Sequence, residues 1–239
     1  MKVSVVIPAY NEEKRIEESA KKLDGYLKGL FDDYEIIFCS DGSTDSTFEK
    51  AKKLENENEK IKAVGYETNR GKGCAVRTGM LASDGDIVIF TDCDLAYGLD
   101  VIKKAVDKFE QTGAQLVIGS RNLDSESYKG YSFARKFMSR VYFKLISLMT
   151  GFKQTDSQCG FKCFSKEAAH TIFSECKIDS FAFDLEALLM AQDKGYKIEE
   201  IAVKIINNDN RNTKVRMISD SIRMLKDIRT IKKNQKSHK

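Results

Sequence analysis

Histidine is nearly missing from this chain, and its cysteines are not grouped. Two histidines occur in 239 residues. His170 stands alone and His238 lies in the tail, so histidine acid–base chemistry has little to build on. The six cysteines lack zinc-type spacing: Cys159 and Cys163 are four apart and the rest are scattered. Cys159, between Gln158 and Gly160, reads as a small core residue in a strand. No secretory leader is evident, which makes reduced thiols in a cytoplasmic protein the expectation. No apolar run approaches the ~20 residues that cross a bilayer, so any membrane contact is expected to be peripheral. A net charge of +4 makes no case for nucleic acid. Gly71 and Gly73 flank Lys72 without completing a phosphate-binding loop or a dinucleotide fingerprint. There is no repeat and no linker, and one domain over 1–239 is expected.

What is present is a well-patterned apolar fraction of 41%. Val3–Ile7 is a β-branched run that Pro8 is expected to stop. Asn11, Glu12 and Glu13 look like the opening of a helix, with an N-cap and acids in its first turn. Further strands are expected at Tyr34–Cys39, Ile61–Tyr66, Ile87–Thr91 and Gln115–Gly119. Helices are expected between them: one capped by Thr44 or Asp45, one after the loop 69–73, and one over Leu99–Gln111. Strand and helix alternate about every thirty residues, the pattern of a mostly parallel α/β sheet with helices on both faces. After Ser120 the rhythm breaks. A strand is expected at Gln158–Phe164, a helix at Phe183–Lys194 and a last strand at Ile198–Ile206.

The polar loops coincide with strand ends, and in a parallel sheet those ends share one edge where ligands bind. Asp92 and Asp94 follow the fourth strand. In extended backbone, positions i and i+2 point the same way, so the two carboxylates are expected to emerge together. Such a pair suits a hard divalent cation bridging a phosphorylated ligand.

With these residues in view, the chain resembles the family 2 glycosyltransferases of the GT-A fold. More narrowly, it resembles the polyprenyl-phosphate glycosyltransferases, including the dolichyl-phosphate β-glucosyltransferases. The matching stretches are VSVVIPAYNEEKRI, EIIFCSDGSTDSTFE, NRGKGCAVRTGM, IVIFTDCDLA, IGSRN, TDSQCGFKCF and FAFDLEALLMA. The resemblance implies a nucleotide-sugar half over 1–120 and an acceptor and membrane-interface half over 121–239. It implies that Pro8, Ala9, Tyr10 and Glu12 line the nucleoside pocket and that Asp41 meets the base. Arg70 and Lys72 would lie near base and sugar. Asp92 would meet the ribose or sugar, and Asp94, with Asp92, would hold Mg²⁺ or Mn²⁺. Gln158 would flank the transferred sugar. Arg121, Arg135 and Ser139 would receive the acceptor phosphate, and Arg211 and Lys214 the diphosphate.

Relatives of mannosyl type tend to carry Gln two places after the second aspartate, where this chain has Ala96. Together with DSQCGFK, this leans towards inverting transfer of glucose from a UDP-sugar to a dolichyl or undecaprenyl phosphate. GDP-mannose as donor, or a soluble or cell-wall glycan as acceptor, stay as alternatives. A phosphate nucleophile is already largely anionic, its second pKa being about 6. Asp156 and Asp184 are therefore expected to position the acceptor more than to abstract a proton.

Two stretches read as basic amphipathic helices able to lie on a membrane. In Phe133–Met149, Phe137, Val141, Leu145 and Ile146 face Lys136, Arg140 and Lys144. In Val215–Ile231, Ile218, Ile222, Leu225 and Ile228 face Arg216, Arg223 and Lys226. Peripheral attachment to the inner face of the membrane is the expectation, and a homo-oligomer is left open.

Overall fold

The structure is a computed structural model and describes residues 1–124, 146–148, 150–206 and 226–233. Among these, seven strands form one sheet in the order β3-β2-β1-β4-β6-β5-β7. They are β1 (Lys2–Ala9), β2 (Asp33–Asp41), β3 (Ile61–Tyr66), β4 (Ile87–Thr91), β5 (Leu116–Ser120), β6 (Phe161–Ser165) and β7 (Ile198–Ala202). The helices are α1 (Ile16–Lys28), α2 (Thr47–Glu57), α3 (Lys72–Ala82), α4 (Asp100–Thr112), α5 (Lys166–Glu175) and α6 (Phe183–Asp193).

The four strands β3, β2, β1 and β4 are parallel neighbours. β6 inserts next, antiparallel to both β4 and β5, and β7 pairs parallel with β5. β5 therefore runs with β4, and its C-terminal end lies on the same edge. Because β6 runs the other way, its N-terminal approach, residues 156–160, arrives at that edge too.

Alternation along the strands divides the core in two. Val3, Val5 and Ile7 of β1, with Ile36, Phe38, Ile89, Phe161 and Cys163, pack under α1 and α4. Val6, Ile37, Val88, Phe90, Leu116, Ile118 and Phe164 pack on the opposite side under α3, α5 and α6. Burial of both faces explains why β1 and β4 are almost wholly apolar.

Several boundaries differ from the sequence expectation. Pro8 does not stop β1, which continues to Ala9. The ladder to β4 ends at Val6↔Phe90, so one flank at Pro8 no longer needs a donor. Asn11 does not cap a helix. It has φ +53, its side chain accepts from Thr44 N at 2.9 Å, and α1 begins only at Ile16. Cys159 lies ahead of β6 rather than in a strand. It is fully buried in the first core, and burial pushes its thiol up to about 11, which leaves it protonated at neutral pH. β7 ends at Ala202, before Ile206.

The two amphipathic stretches fall mostly outside the described residues. Their described parts, 146–148 and 226–233, are helical. There Ile146 and Ile228 are core residues packed with Phe164 and Phe173, not residues turned towards a membrane. Leu148 is 77% exposed. No helix among the described residues is long and apolar enough to cross a membrane.

Candidate functional site

At the edge where the parallel strands end, loops are pinned to one another through short polar side chains. Glu12 N donates to Thr47 Oγ1 at 2.8 Å, and Asn11 N donates to Ser43 Oγ at 3.2 Å. The N-cap of α2 is Ser46 rather than the expected Thr44 or Asp45; Asp45, just ahead of it, accepts from Thr47 N at 3.0 Å. This holds the segment Pro8–Glu12 beside the β2 loop, with Ala9 buried and Tyr10 exposed.

Asp41, the last residue of β2, organises the glycine-rich loop. Its Oδ1 accepts from Tyr66 OH at 2.7 Å, Arg70 N at 2.9 Å and Gly71 N at 3.0 Å. Its Oδ2 accepts from Asn69 Nδ2 at 3.0 Å. Gly71, at φ +118, lies so close to the chain before α6 that a Cβ would sit 2.4 Å from Asp179 O. Asp179 also receives Arg70 at 3.2 Å and Arg77 at 2.5 Å.

The aspartate pair does not sit in extended backbone. β4 ends at Thr91, and residues 92–95 make a turn closed by Leu95 N to Asp92 O at 3.0 Å. Leu95 is left-handed at φ +48. The bend arises because Cys93 is buried and its carbonyl accepts from Ser19 Oγ at 2.6 Å. Asp92 and Asp94 therefore both lie on a turn rather than on an extended strand end. Asp94 Oδ1 accepts from Ala96 N at 3.1 Å. Asp92 Oδ1 lies 2.5 Å from Lys72 Nζ. Its Oδ2 rests against Gly160, where a Cβ would come within 2.0 Å. Burial pulls the Lys72 ammonium down, but Asp92, Asp184 and Asp94 together hold it above its ordinary pKa.

Two ion pairs, each with a buried carboxylate, complete the neighbourhood. Asp156, 0% exposed, takes a two-pronged bond from Arg121, with Nε at 2.7 Å and Nη2 at 3.0 Å. It also accepts from Gln158 N at 3.0 Å. Burial would raise this carboxyl, but Arg121 overrides it and holds Asp156 below the usual range. Lys162, 1% exposed, donates to Asp184 Oδ1 at 2.5 Å and to Cys159 O at 2.7 Å. Burial raises the Asp184 carboxyl against the pull of Lys162 and Lys72. Both ammoniums sit over the Phe90 ring, Lys72 at 5.1 Å and Lys162 at 5.7 Å from its centroid.

The expected residues thus fall into three groups. Pro8, Ala9, Tyr10, Glu12, Asp41, Arg70 and Lys72 lie in the loops of the parallel half. Asp92 and Asp94 occupy the turn after β4. Arg121, Asp156, Gln158 and Asp184 lie around β6. Arg135, Ser139, Arg211 and Lys214 lie outside the described residues. Sequence reasoning missed Lys162, Gly160, Asp179 and Glu186. A signal existed for two of them. Lys162 is a lone charge in an apolar strand, and Glu186 lies in the apolar run Leu185–Leu189. Buried charges of this sort require partners. Glu186 takes Lys177 N and Ile178 N, at 3.0 and 2.9 Å, and so shapes the loop that receives Gly71. Among the described residues, no three His, Cys, Asp or Glu side chains form a cation cluster.

This strand order, with two aspartates in the turn after β4, is that of the GT-A fold class. Solved structures agree on the fold. The chain aligns with glucosyl-3-phosphoglycerate synthase from Mycobacterium tuberculosis in complex with phosphoglyceric acid. The TM-score is 0.71 at 22% identity, covering 96% of this chain and 79% of that one. The same synthase with Mn²⁺, UDP and glucosyl-3-phosphoglycerate gives 0.67 at 22% identity, covering 96% and 78%.

The model of Glycosyl transferase family 2 matches residues 4–173, and the chain belongs to that family. It is 35% identical over 241 residues to the dolichyl-phosphate beta-glucosyltransferase of Dictyostelium discoideum, covering 95% of this chain and 72% of that protein. To the enzyme of the same name from Saccharomyces cerevisiae it is 32% identical over 244 residues, covering 95% and 72%.

Proposed function

We propose that this glycosyltransferase moves glucose, with inversion, from a UDP-sugar to a polyprenyl phosphate at a membrane surface, assisted by Mg²⁺ or Mn²⁺. The curated relatives carry that sugar and acceptor class in their names, and solved fold neighbours contain UDP with Mn²⁺ or Mg²⁺. The observation that carries the reading is the contact between Asp92 Oδ2 and Gly160. It brings the aspartate turn against the stretch Asp156–Lys162, which supports a site shared by donor and acceptor.

Two carboxylates on one turn fit a hard cation whose other ligands are diphosphate and water. Bound there, the ion would neutralise charge on the departing diphosphate. The chain's own residues do the rest. Asp41 holds the backbone of Arg70 and Gly71, which aims Lys72 at the donor. Arg121 is set by Asp156 to offer a guanidinium face to an incoming phosphate. Asp156 is held too acidic to serve as a base, and Asp184 shares its proton-accepting oxygen with Lys162. Both position the acceptor, whose phosphate is anionic and needs no base. The oxocarbenium-like sugar then forms between fixed partners. In this reading residues 1–120 hold the donor and 121–239 the acceptor and membrane. Arg135, Ser139, Arg211 and Lys214 extend the phosphate contacts.

The test is a panel of UDP- and GDP-sugars with short-chain polyprenyl phosphate and Mg²⁺ or Mn²⁺. UDP-glucose should be consumed and GDP-mannose left; the reverse preference sinks the reading. Asp94→Ala should cut turnover by about a thousandfold or more without lowering the melting temperature. Salt-sensitive pelleting with anionic vesicles is expected, and full solubility at low salt would exclude the peripheral attachment.

A further inference from the structure

We propose that Lys72 is a tethered cation that fills the aspartate turn until the nucleotide arrives, so that a divalent ion enters together with the diphosphate and not before it. The inference rests on the metal-assisted reading above.

Asp92 Oδ1 carries the Lys72 ammonium at 2.5 Å, and Oδ2 lies beside Gly160. Asp184 Oδ1 holds Lys162 at 2.5 Å, which weakens its pull on Lys72. Lys162 is itself fixed by Cys159 O at 2.7 Å. The Phe90 face lies 5.1 Å beneath Lys72 and stabilises the ammonium without supplying a competing acceptor.

In formal charge, Asp92, Asp94 and Asp184 stand against Lys72 and Lys162, all coupled in one neighbourhood. One negative charge is left over, which is little for a free divalent ion to gain. A diphosphate changes that balance twice. It adds negative charge for the ion, and it gives the ammonium a new partner. The move is confined to the side chain, because Gly71 N is tied to Asp41 and Gly73 N to Asp179 O at 2.8 Å. Nucleotide and metal binding are then linked, each raising the affinity for the other.

Mn²⁺ binding, read from the free-ion electron paramagnetic resonance signal, tests this without turnover. The purified chain should bind Mn²⁺ at least about tenfold more tightly with UDP than without it. Lys72→Met should bind Mn²⁺ alone about tenfold more tightly than the unsubstituted chain does. Lys72→Arg, which keeps the charge, should not. Equal Mn²⁺ affinity of Lys72→Met and the unsubstituted chain, with UDP still recruiting the ion, overturns the tethered cation and leaves the metal-assisted reading standing. Failure of UDP to recruit Mn²⁺ to the unsubstituted chain overturns both, and needs no variant to fold.

Discussion

The two sides of the aspartate turn are held together by different physics. On the parallel side, loops are fixed by carboxylates and hydroxyls that accept from backbone N–H groups: Asp41 from Arg70 and Gly71, Asp45 from Thr47. On the side of β6, paired ions do the work: Arg121 with Asp156, and Lys162 with Asp184. The first device shapes backbone and leaves its cations, such as Arg70, facing solvent. The second buries charge: Asp156, Lys162 and Asp184 lie inside the protein, and only Arg121 keeps part of its side chain exposed. Removing one partner leaves the other charged, buried and alone, which costs far more than one lost hydrogen bond.

That contrast can be broken at three points. The largest effect is expected from Arg121→Met, which strands the fully buried Asp156. Chemical denaturation should show a loss of about 3–5 kcal/mol, and adding Asp156→Leu should restore most of it. The pair also predicts a pH dependence. Asp156 titrates below its unfolded value, so its stabilisation is complete above the unfolded carboxyl pKa. It fades as pH falls through the lower folded value. The double variant should lose this part of the acid sensitivity. If Arg121→Met is as stable as the unsubstituted chain, the pair is not holding the β6 approach.

A smaller effect, confined to catalysis, is expected from Gly160→Ala. The added methyl would meet the Asp92 carboxylate at 2.0 Å and push it off position. A misplacement of this order should lower kcat/KM by about tenfold to a hundredfold, with the melting temperature nearly unchanged. Unaltered kinetics would mean that the two motifs need not touch.

The smallest is expected from Asp41→Asn. The amide keeps one acceptor but sets an NH₂ against donors of the loop, at a cost of about 1 kcal/mol. Hydrogen exchange at Arg70 and Gly71 should quicken and KM for the UDP-sugar should rise. A change in kcat alone would argue that Asp41 acts on the chemistry rather than on the loop.

By itself the sequence determined the layered α/β plan and where its polar loops fall. Apolar periodicity and β-branched runs are local properties, and they placed β1 to β5 to within a residue or two. The family was legible for the same reason: its motifs are short and contiguous. Tertiary structure decided what the motifs do to each other. Nothing local in Gln158–Phe164 says that this segment runs backwards between β4 and β5, yet that insertion sets Gly160 against Asp92. Nothing near Lys162 names Asp184, which comes from a helix 22 residues on. The Asp92–Asp94 spacing suggested an extended pair, whereas burial of Cys93 and its bond to Ser19, 74 residues away, bent the chain into a turn. Strand order and the pairing of buried charges depend on long-range packing and desolvation, which no stretch of neighbouring residues encodes alone.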